Sequence, residues 1–391
     1  MVSQLATRAR MLPRLGLLAI CVLMQSTALA DAKLPEFSWD RVPLYAHFGI
    51  GEGLEPQQYD FLAEHFSLIG LTAGRVRNGS AELHTAAAAA ELKQRNPAMK
   101  VLFYWASDKP KHQSKIANAA YPGDYLIHTK RRKGKKDEVT PYFDVQRQEV
   151  RDWWSDAAAD AVHKYGCDGI FVDGAVAGHP QGPYARDFGK EKAAAMNEAV
   201  FAMLRDAQRK MGPDTLIVFN PLHGTDGKKD PLGQEQLQVT DGAMIDDFDR
   251  GGKAKQQSME YMVNTLGAMR HAARDGKIVL FKGWPDFTMA WRKSAELKKS
   301  MSLEDLRREA RKDILFPLAC FLLAAEKQCY FCYTWGWEPD QGSLEWYPEF
   351  DQPLGPPKGD AVRDGWTFRR EFKHASVLVD IENQIAKINW K

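Results

Sequence analysis

A short apolar run that ends abruptly on a carboxylate constrains the fold more than any other stretch of the chain. Ile170, Phe171 and Val172 form this run, and Asp173 and Gly174 follow directly. Such a run is typical of a strand that is buried on both faces. A carboxylate at its end is costly inside a core but useful at the open end of a barrel, where catalytic groups cluster. The run therefore predicts a buried parallel strand that carries Asp173 into a site.

Seven further stretches of similar design are spaced along the chain, with helical sequence between most of them. The eight strands are predicted at residues 43–49, 68–72, 100–106, 170–173, 216–220, 242–248, 277–284 and 329–335. This alternation predicts an α/β fold, a TIM (β/α)8 barrel. The end of the chain instead shows short alternating runs between turn residues, which predict a small C-terminal antiparallel β unit. We expect the barrel, the catalytic domain, at 31–345 and a β segment packed on it at 346–391.

The first 30 residues have the pattern of a signal peptide. Three arginines precede an apolar run at 15–24, and Ala28, Leu29 and Ala30 form a small-x-small cleavage site. No later stretch approaches the ~20 apolar residues that a membrane-spanning helix needs. The sequence therefore predicts export, to the periplasm or beyond the cell, after cleavage near Ala30, with no membrane span.

Several partner classes find no support in the sequence. A net charge of +2 over 391 residues gives no basic footprint for nucleic acid. The one dense basic run, residues 130–136, lies in a long polar section that we expect to be irregular. It is either a solvated loop or a grip for an anionic substrate. No Gly-rich phosphate loop follows a strand and no metal-ligand spacing occurs, so we predict neither a cofactor nor a metal.

Cys329 and Cys332 form a Cys-x-x-Cys pair within a predicted strand. Residues three apart on a strand point to opposite faces, which does not suit a shared redox or metal site. We therefore interpret these cysteines, with Cys167 and Cys320, as buried free thiols.

Carboxylates follow the fourth and sixth strands, so they would lie across the mouth of one barrel. The catalytic candidates are Asp173 and either Asp246 or Asp247, since neighbouring strand residues face opposite ways and only one of the pair can point into the mouth. We favour Asp246 because Asp247, next to Phe248, is placed to pair with a neighbouring Lys or Arg instead. Two carboxylates are what glycoside hydrolysis needs, and flat aromatic rings at the same rim suit the apolar faces of sugars. The residues predicted to bind a poly- or oligosaccharide are His47, Arg75, Tyr104, Trp105, Asp108, Asn220, His223, Lys282, Trp284, Tyr333 and Trp335.

Two alternatives remain open from the residues alone. One is a catalytically inactive, carbohydrate-binding barrel. The other is a polysaccharide lyase that acts on uronic-acid polymers, with Tyr104 or His47 as base and the basic run holding carboxylates.

Several motifs are similar to those of a known family. They are Tyr104-Trp105, Val150–Trp154, Asp168–Asp173, Phe219–Pro221 and, in the tail, Pro353–Pro357 and Arg369–Val377. Together they resemble the glycoside hydrolase-like TIM-barrel family numbered fifteen. The resemblance implies a barrel related to retaining glycosidases, which use an aspartate after strand four as nucleophile and an acid after strand six as proton donor. It implies that Asp173 is the nucleophile and Asp246 the acid/base.

Overall fold

A computed structural model describes residues 33–72, 74, 76–133, 136–226, 231–251 and 255–391, without the side chains of 131–138 and 250–256. The predicted signal peptide and Arg75 lie outside the described residues. Eight strands form the central sheet. They are β1 (Ala46–Gly49), β2 (Leu68–Thr72), β3 (Lys100–Ala106), β4 (Gly169–Asp173), β5 (Leu216–Asn220), β6 (Gly242–Ile245), β7 (Ile278–Gly283) and β8 (Cys329–Tyr333).

The eight strands pair in chain order, and each paired strand runs parallel to its neighbour. Two backbone hydrogen bonds then join the first strand region to the last. The Tyr45 amide donates to the Phe331 carbonyl at 3.1 Å, and the Phe331 amide donates to the Pro43 carbonyl at 2.8 Å. The sheet is therefore a nearly closed parallel barrel, which confirms the predicted fold class.

Strand side chains alternate between the barrel interior and the layer of helices around it, as a period of two requires. The interior cluster contains Tyr45, Leu68, Leu102, Phe171, Leu216, Val218, Met244, Ile278, Leu280, Tyr330 and Cys332. Cys332 therefore faces inward, whereas Cys329 belongs to the outer layer. All four cysteines of the described chain are buried and free, as predicted.

The helices form the outer layer of the barrel. They are α1 (Pro56–His65), α2 (Ala81–Arg95), α3 (Lys115–Ala119), α4 (Gln148–His163), α5 (Pro183–Phe188), α6 (Lys190–Met211), α7 (Met259–Arg274), α8 (Thr288–Lys293), α9 (Ala295–Ser300), α10 (Leu303–Asp313) and α11 (Leu315–Ala324). Serine caps begin several of them, for example Ser258, whose hydroxyl accepts from the Tyr261 amide at 3.1 Å. Among the described residues, no helix is long and apolar enough to cross a membrane.

The section between β3 and α4 is not irregular, contrary to the prediction. It contains α3 and an antiparallel hairpin of two strands, Leu126–Lys133 and Lys136–Phe143. The pairing sets Arg131 opposite Glu138 and Arg132 opposite Asp137. The two strands lack the apolar alternation by which a half-buried strand is recognised, so the sequence pattern did not predict them.

The tail forms the predicted antiparallel β unit. Its strands are β9 (Val362–Asp364), β10 (Thr367–Glu371), β11 (Ala375–Asp380) and β12 (Ile385–Trp390), paired in that order. Arg370, only 2% exposed, anchors this sheet to the barrel. Its guanidinium donates to the carbonyls of Leu322 and Ala325, at the end of α11, at 3.0 and 2.6 Å. These bonds satisfy helix carbonyls that would otherwise lack a partner.

Candidate active site

A cavity of about 300 Å³ opens at the carboxyl ends of the barrel strands. Five of the predicted site residues line it, namely His47, Tyr104, Asp173, Asn220 and Asp246. They come from β1, β3, β4, β5 and the residue after β6. The barrel thus brings together carboxylates that are 73 residues apart in the chain.

Asp173 is the last residue of β4, and its side chain is 35% exposed. The Tyr104 hydroxyl donates to its Oδ2 at 2.6 Å, and Lys111 Nζ lies 3.8 Å from the same oxygen. Its Oδ1 has only a long contact, 3.5 Å, from Asn220 Nδ2. One carboxylate oxygen is therefore held firmly while the other is left largely free.

Asp246 has a different environment. Its Oδ1 is shielded from solvent and has no hydrogen-bond partner among the described residues. Burial raises the pKa of Asp246 to about 7; the charges of Asp247 and Asp173 add to this rise, and Lys282 and Arg292 oppose it. The Trp284 indole donates to the Asp246 carbonyl at 2.6 Å and fixes its backbone. Asp246 is thus suited to carry a proton near neutral pH.

Asp247 lies next to Asp246 but does not line the cavity. Its carbonyl accepts from the Tyr261 hydroxyl at 3.0 Å. Burial also raises the pKa of Asp247, opposed by Arg292. Both residues follow β6 directly, and only Asp246 lines the cavity.

Lys282 is fully buried below the rim, on the inward face of β7. Its Nζ lies 3.1 Å from the centre of the Trp337 ring and 3.8 Å from that of the Trp284 ring, and it donates to the Gly336 carbonyl at 3.1 Å. Burial lowers the pKa of Lys282 to about 7, and the Asp246 charge opposes this fall. Lys282 therefore packs against the Trp284 and Trp337 rings and does not itself line the cavity.

His47 forms part of the cavity floor. Burial, and then the charge of Lys282, lowers the pKa of His47 to about 3, so its ring is neutral. The ring centre lies 4.3 Å from that of Phe171. A Cβ on Gly70 would lie 2.3 Å from His47 Nδ1, so only glycine leaves room for this ring.

Two predicted aromatic residues lie outside the cavity because they occupy outward positions of their strands. Trp105 is packed between the barrel and α4, and its indole donates to the Trp154 carbonyl at 3.1 Å. Tyr333 also faces the helices, and its hydroxyl donates to the Ala310 carbonyl at 2.8 Å. Adjacent strand residues point to opposite faces, so Tyr104 and Trp105 cannot both face the mouth.

The remaining predicted residues do not line the cavity. Trp284 is buried against Lys282, and Trp335 is buried beside a neighbouring cavity. His223 Nδ1 hydrogen-bonds to the Gly224 carbonyl at 2.8 Å. Asp108 is buried, and this burial raises the pKa of its carboxyl group to about 6. The Asp108 carboxyl packs closely against Gly174, since a Cβ on Gly174 would lie 2.7 Å from its carboxyl carbon.

Sequence reasoning missed several lining residues, among them Phe171, Lys111 and Gln113. Phe171 precedes Asp173 by two positions on β4, so the period of two could have placed it on the same face. Lys111 and Gln113 lie in the section after β3, where no pattern in the sequence marks them. Among the described residues, no group of three or more His, Cys, Asp and Glu side chains could hold a metal ion.

Comparison with known proteins identifies the family. The family described as hypothetical glycosyl hydrolase family 15 matches residues 93–376. The chain belongs to this family. The predicted resemblance is thereby confirmed, and the two-carboxylate cavity belongs to a glycoside hydrolase. No curated protein sequence matches the chain.

Several solved structures are similar to this chain at low sequence identity. The glycoside hydrolase domain of PelA from Pseudomonas aeruginosa has 15% identity and a TM-score of 0.43, with 66% of this chain and 90% of that one covered. The α-amylase of Geobacillus thermoleovorans, complexed with acarbose, has 11% identity and a TM-score of 0.48, with 88% and 87% covered. The spore cortex-lytic enzyme SleL of Bacillus cereus has 11% identity and a TM-score of 0.37, with 62% and 52% covered.

Proposed function

We propose that this member of hypothetical glycosyl hydrolase family 15 cleaves a poly- or oligosaccharide with Asp173 as nucleophile and Asp246 as acid/base. One observation carries the proposal: two carboxylates line the same cavity in unequal environments. Asp173 accepts a hydrogen bond from the Tyr104 hydroxyl, whereas Asp246 has a buried carboxylate oxygen without a partner and a raised pKa. Paired acids with such different surroundings are suited to opposite roles.

The first step uses the free oxygen of Asp173. With Oδ2 held by Tyr104, Oδ1 attacks the anomeric carbon of the sugar. Asp246 gives its proton to the glycosidic oxygen as the bond from that oxygen to the anomeric carbon breaks. The sugar is then bound to Asp173 as an ester, and the leaving sugar departs as an alcohol.

The second step reverses the roles. The carboxylate of Asp246 takes a proton from water, whose oxygen attacks the anomeric carbon and releases Asp173. Two displacements on one carbon retain its configuration. The proposal therefore includes retention of the anomeric configuration.

The geometry favours hydrolysis over the lyase alternative. A tyrosine that acts as base must lose its proton readily, but burial and the neighbouring Asp173 carboxylate raise the pKa of Tyr104 far above its usual value. The 2.6 Å hydrogen bond instead makes Tyr104 a donor that orients the nucleophile.

A reducing-end assay across a panel of polysaccharides tests the function, with Asp173→Asn and Asp246→Asn beside the wild type. We expect turnover of at least one polysaccharide and its loss in both variants. Azide then separates the two roles: it should rescue Asp173→Ala with an inverted glycosyl azide and Asp246→Ala with a retained one. Activity that survives Asp173→Asn would refute the assignment.

The stereochemistry and the destination need separate measurements. Proton NMR of the first anomer released should show the configuration of the substrate; the opposite anomer would mean a single displacement by water. For export, we propose that residues 1–30 direct the chain out of the cytoplasm. Fractionation of cells that express the full chain or a chain without 1–30 tests this, because only the full chain should leave the cytoplasm.

A further inference from the structure

A second cavity adjoins the catalytic one. It has a volume of about 620 Å³, and Trp337 lines both cavities. Glu338, which follows Trp337, also borders both: a Cβ on Gly74 of the catalytic cavity would lie 3.1 Å from Glu338 Oε1. The two cavities therefore meet at Trp337 and Glu338.

The inserted helices after β7 build one wall of this second cavity. Helix α8 supplies Trp291 and Arg292, and α9 supplies Lys298. The loop after β8 supplies Trp335 and the partly exposed Trp337 on the other side. Of these three tryptophans, Trp337 is partly exposed and offers a flat apolar face for a second sugar ring beside the catalytic cavity.

Two exposed cations mark the chemistry of this cavity. Arg292 and Lys298 contact tryptophan rings, with Arg292 Cζ 5.5 Å from the Trp284 ring centre and Lys298 Nζ 5.7 Å from that of Trp291. Neither forms an ion pair within the part of the chain that the structure describes. Glu338 and Asp340 also line the cavity, but each is already engaged in an interaction. The charge of Arg292 also acts on Asp246 and Asp247, but both cations are exposed and outside any salt bridge with the described residues, so an incoming anion can reach them.

The tryptophan wall also contains unmet donors. The indole N–H groups of Trp291 and Trp335 are buried and have no acceptor among the described residues. A buried donor without a partner is costly, and an oxygen from a bound ligand that reached it would remove part of that cost. The wall thus favours an oxygen-rich ligand over an apolar one.

We propose that the second cavity binds the sugar unit next to the one that is cleaved, and that this unit carries a carboxylate or sulfate recognised by Arg292 and Lys298. The substrate is then an acidic saccharide. This inference rests on the proposed function, since it assumes that a saccharide occupies the catalytic cavity. The two anions share the same recognition chemistry, and the experiment separates them.

Calorimetric titration of the Asp173→Asn protein, which should bind without turnover, tests the proposal. The probes are trisaccharides of galacturonate, mannuronate and glucuronate, each beside its carboxyl-reduced neutral form and a sulfated form. We expect at least one acidic trisaccharide to bind about tenfold tighter than its neutral counterpart. Adding Arg292→Gln and Lys298→Gln together should remove this preference and leave the neutral affinity unchanged.

The control is Lys299→Gln on α9, an exposed lysine that does not line the cavity. It should keep the preference at the same ionic strength. Equal affinity for acidic and neutral trisaccharides, no binding of any acidic one, or a preference that survives the double variant would overturn the subsite. If acidic sugars bind as expected while the unmodified enzyme leaves them intact, the subsite stands and the proposed hydrolysis fails.

Discussion

Replacing Asp246 with asparagine should stabilise the protein, and more so as the pH rises. Burial raises the pKa of this carboxyl from 3.8 to about 7. A group with a raised folded-state pKa contributes most stability below its unfolded pKa, and that stability is lost as the pH climbs to about 7. Asparagine carries no charge at any of these pH values, so the variant does not lose this stability as the pH rises.

The magnitude follows from the two pKa values. A rise of about 3 pH units corresponds to about 4 kcal/mol at most, at about 1.36 kcal/mol for each unit. At pH 5 about 1.5 kcal/mol of this penalty is already present, and by pH 8 it is nearly complete. We therefore expect the stability gain of Asp246→Asn to grow by about 2.5 kcal/mol between pH 5 and pH 8.

Urea unfolding at pH 5 and pH 8, followed by tryptophan fluorescence, measures the gain. Asp364→Asn is the matched control, because Asp364 is exposed on β9, and its effect should stay within about 0.5 kcal/mol at both pH values. A gain for Asp246→Asn that does not increase with pH would refute the reasoning. So would a loss of stability at pH 8, since it would mean that the buried carboxylate is stabilising when charged.

Three further predictions concern the same cavity. The kcat/KM of the wild type should fall about tenfold per pH unit above about pH 7, because Asp246 must be protonated to donate; a profile that stays flat to pH 9 would contradict this. Tyr104→Phe should lower kcat about 10- to 100-fold with little change in Tm, because it removes the 2.6 Å bond that orients Asp173; unchanged kinetics would exclude that role. Gly70→Ala should lower the free energy of unfolding by about 1–3 kcal/mol, because its Cβ would overlap the buried His47 ring; urea unfolding would show wild-type stability if the ring moves freely.

The barrel was predictable from the sequence because each strand is a short buried run and the runs recur with helices between them. Asp173 and Asn220, which end β4 and β5, were predictable for the same reason. A polar residue at the end of a buried strand is expected at the open mouth of the barrel rather than in its core. Strand alternation predicted that only one of Asp246 and Asp247 faces the mouth, and the structure places Asp246 in the cavity.

The positions that the sequence placed poorly fall into two kinds. Trp105 and Tyr333 occupy strand positions whose side chains point toward the helices. A stricter use of strand alternation would have excluded both from the predicted site. Lys111, by contrast, reaches Asp173 from the section after β3. Its position depends on how that section folds back over the barrel, and local sequence patterns do not contain such long-range information.

The order in which the chain is synthesised gives the tail a consequence for folding. Helix α11 ends on carbonyls that are satisfied by Arg370, and the barrel closes only when Phe331 meets the strand that begins near Leu44. Both events need residues from the last sixth of the chain. A ribosome must therefore make most of the protein before the barrel can lock.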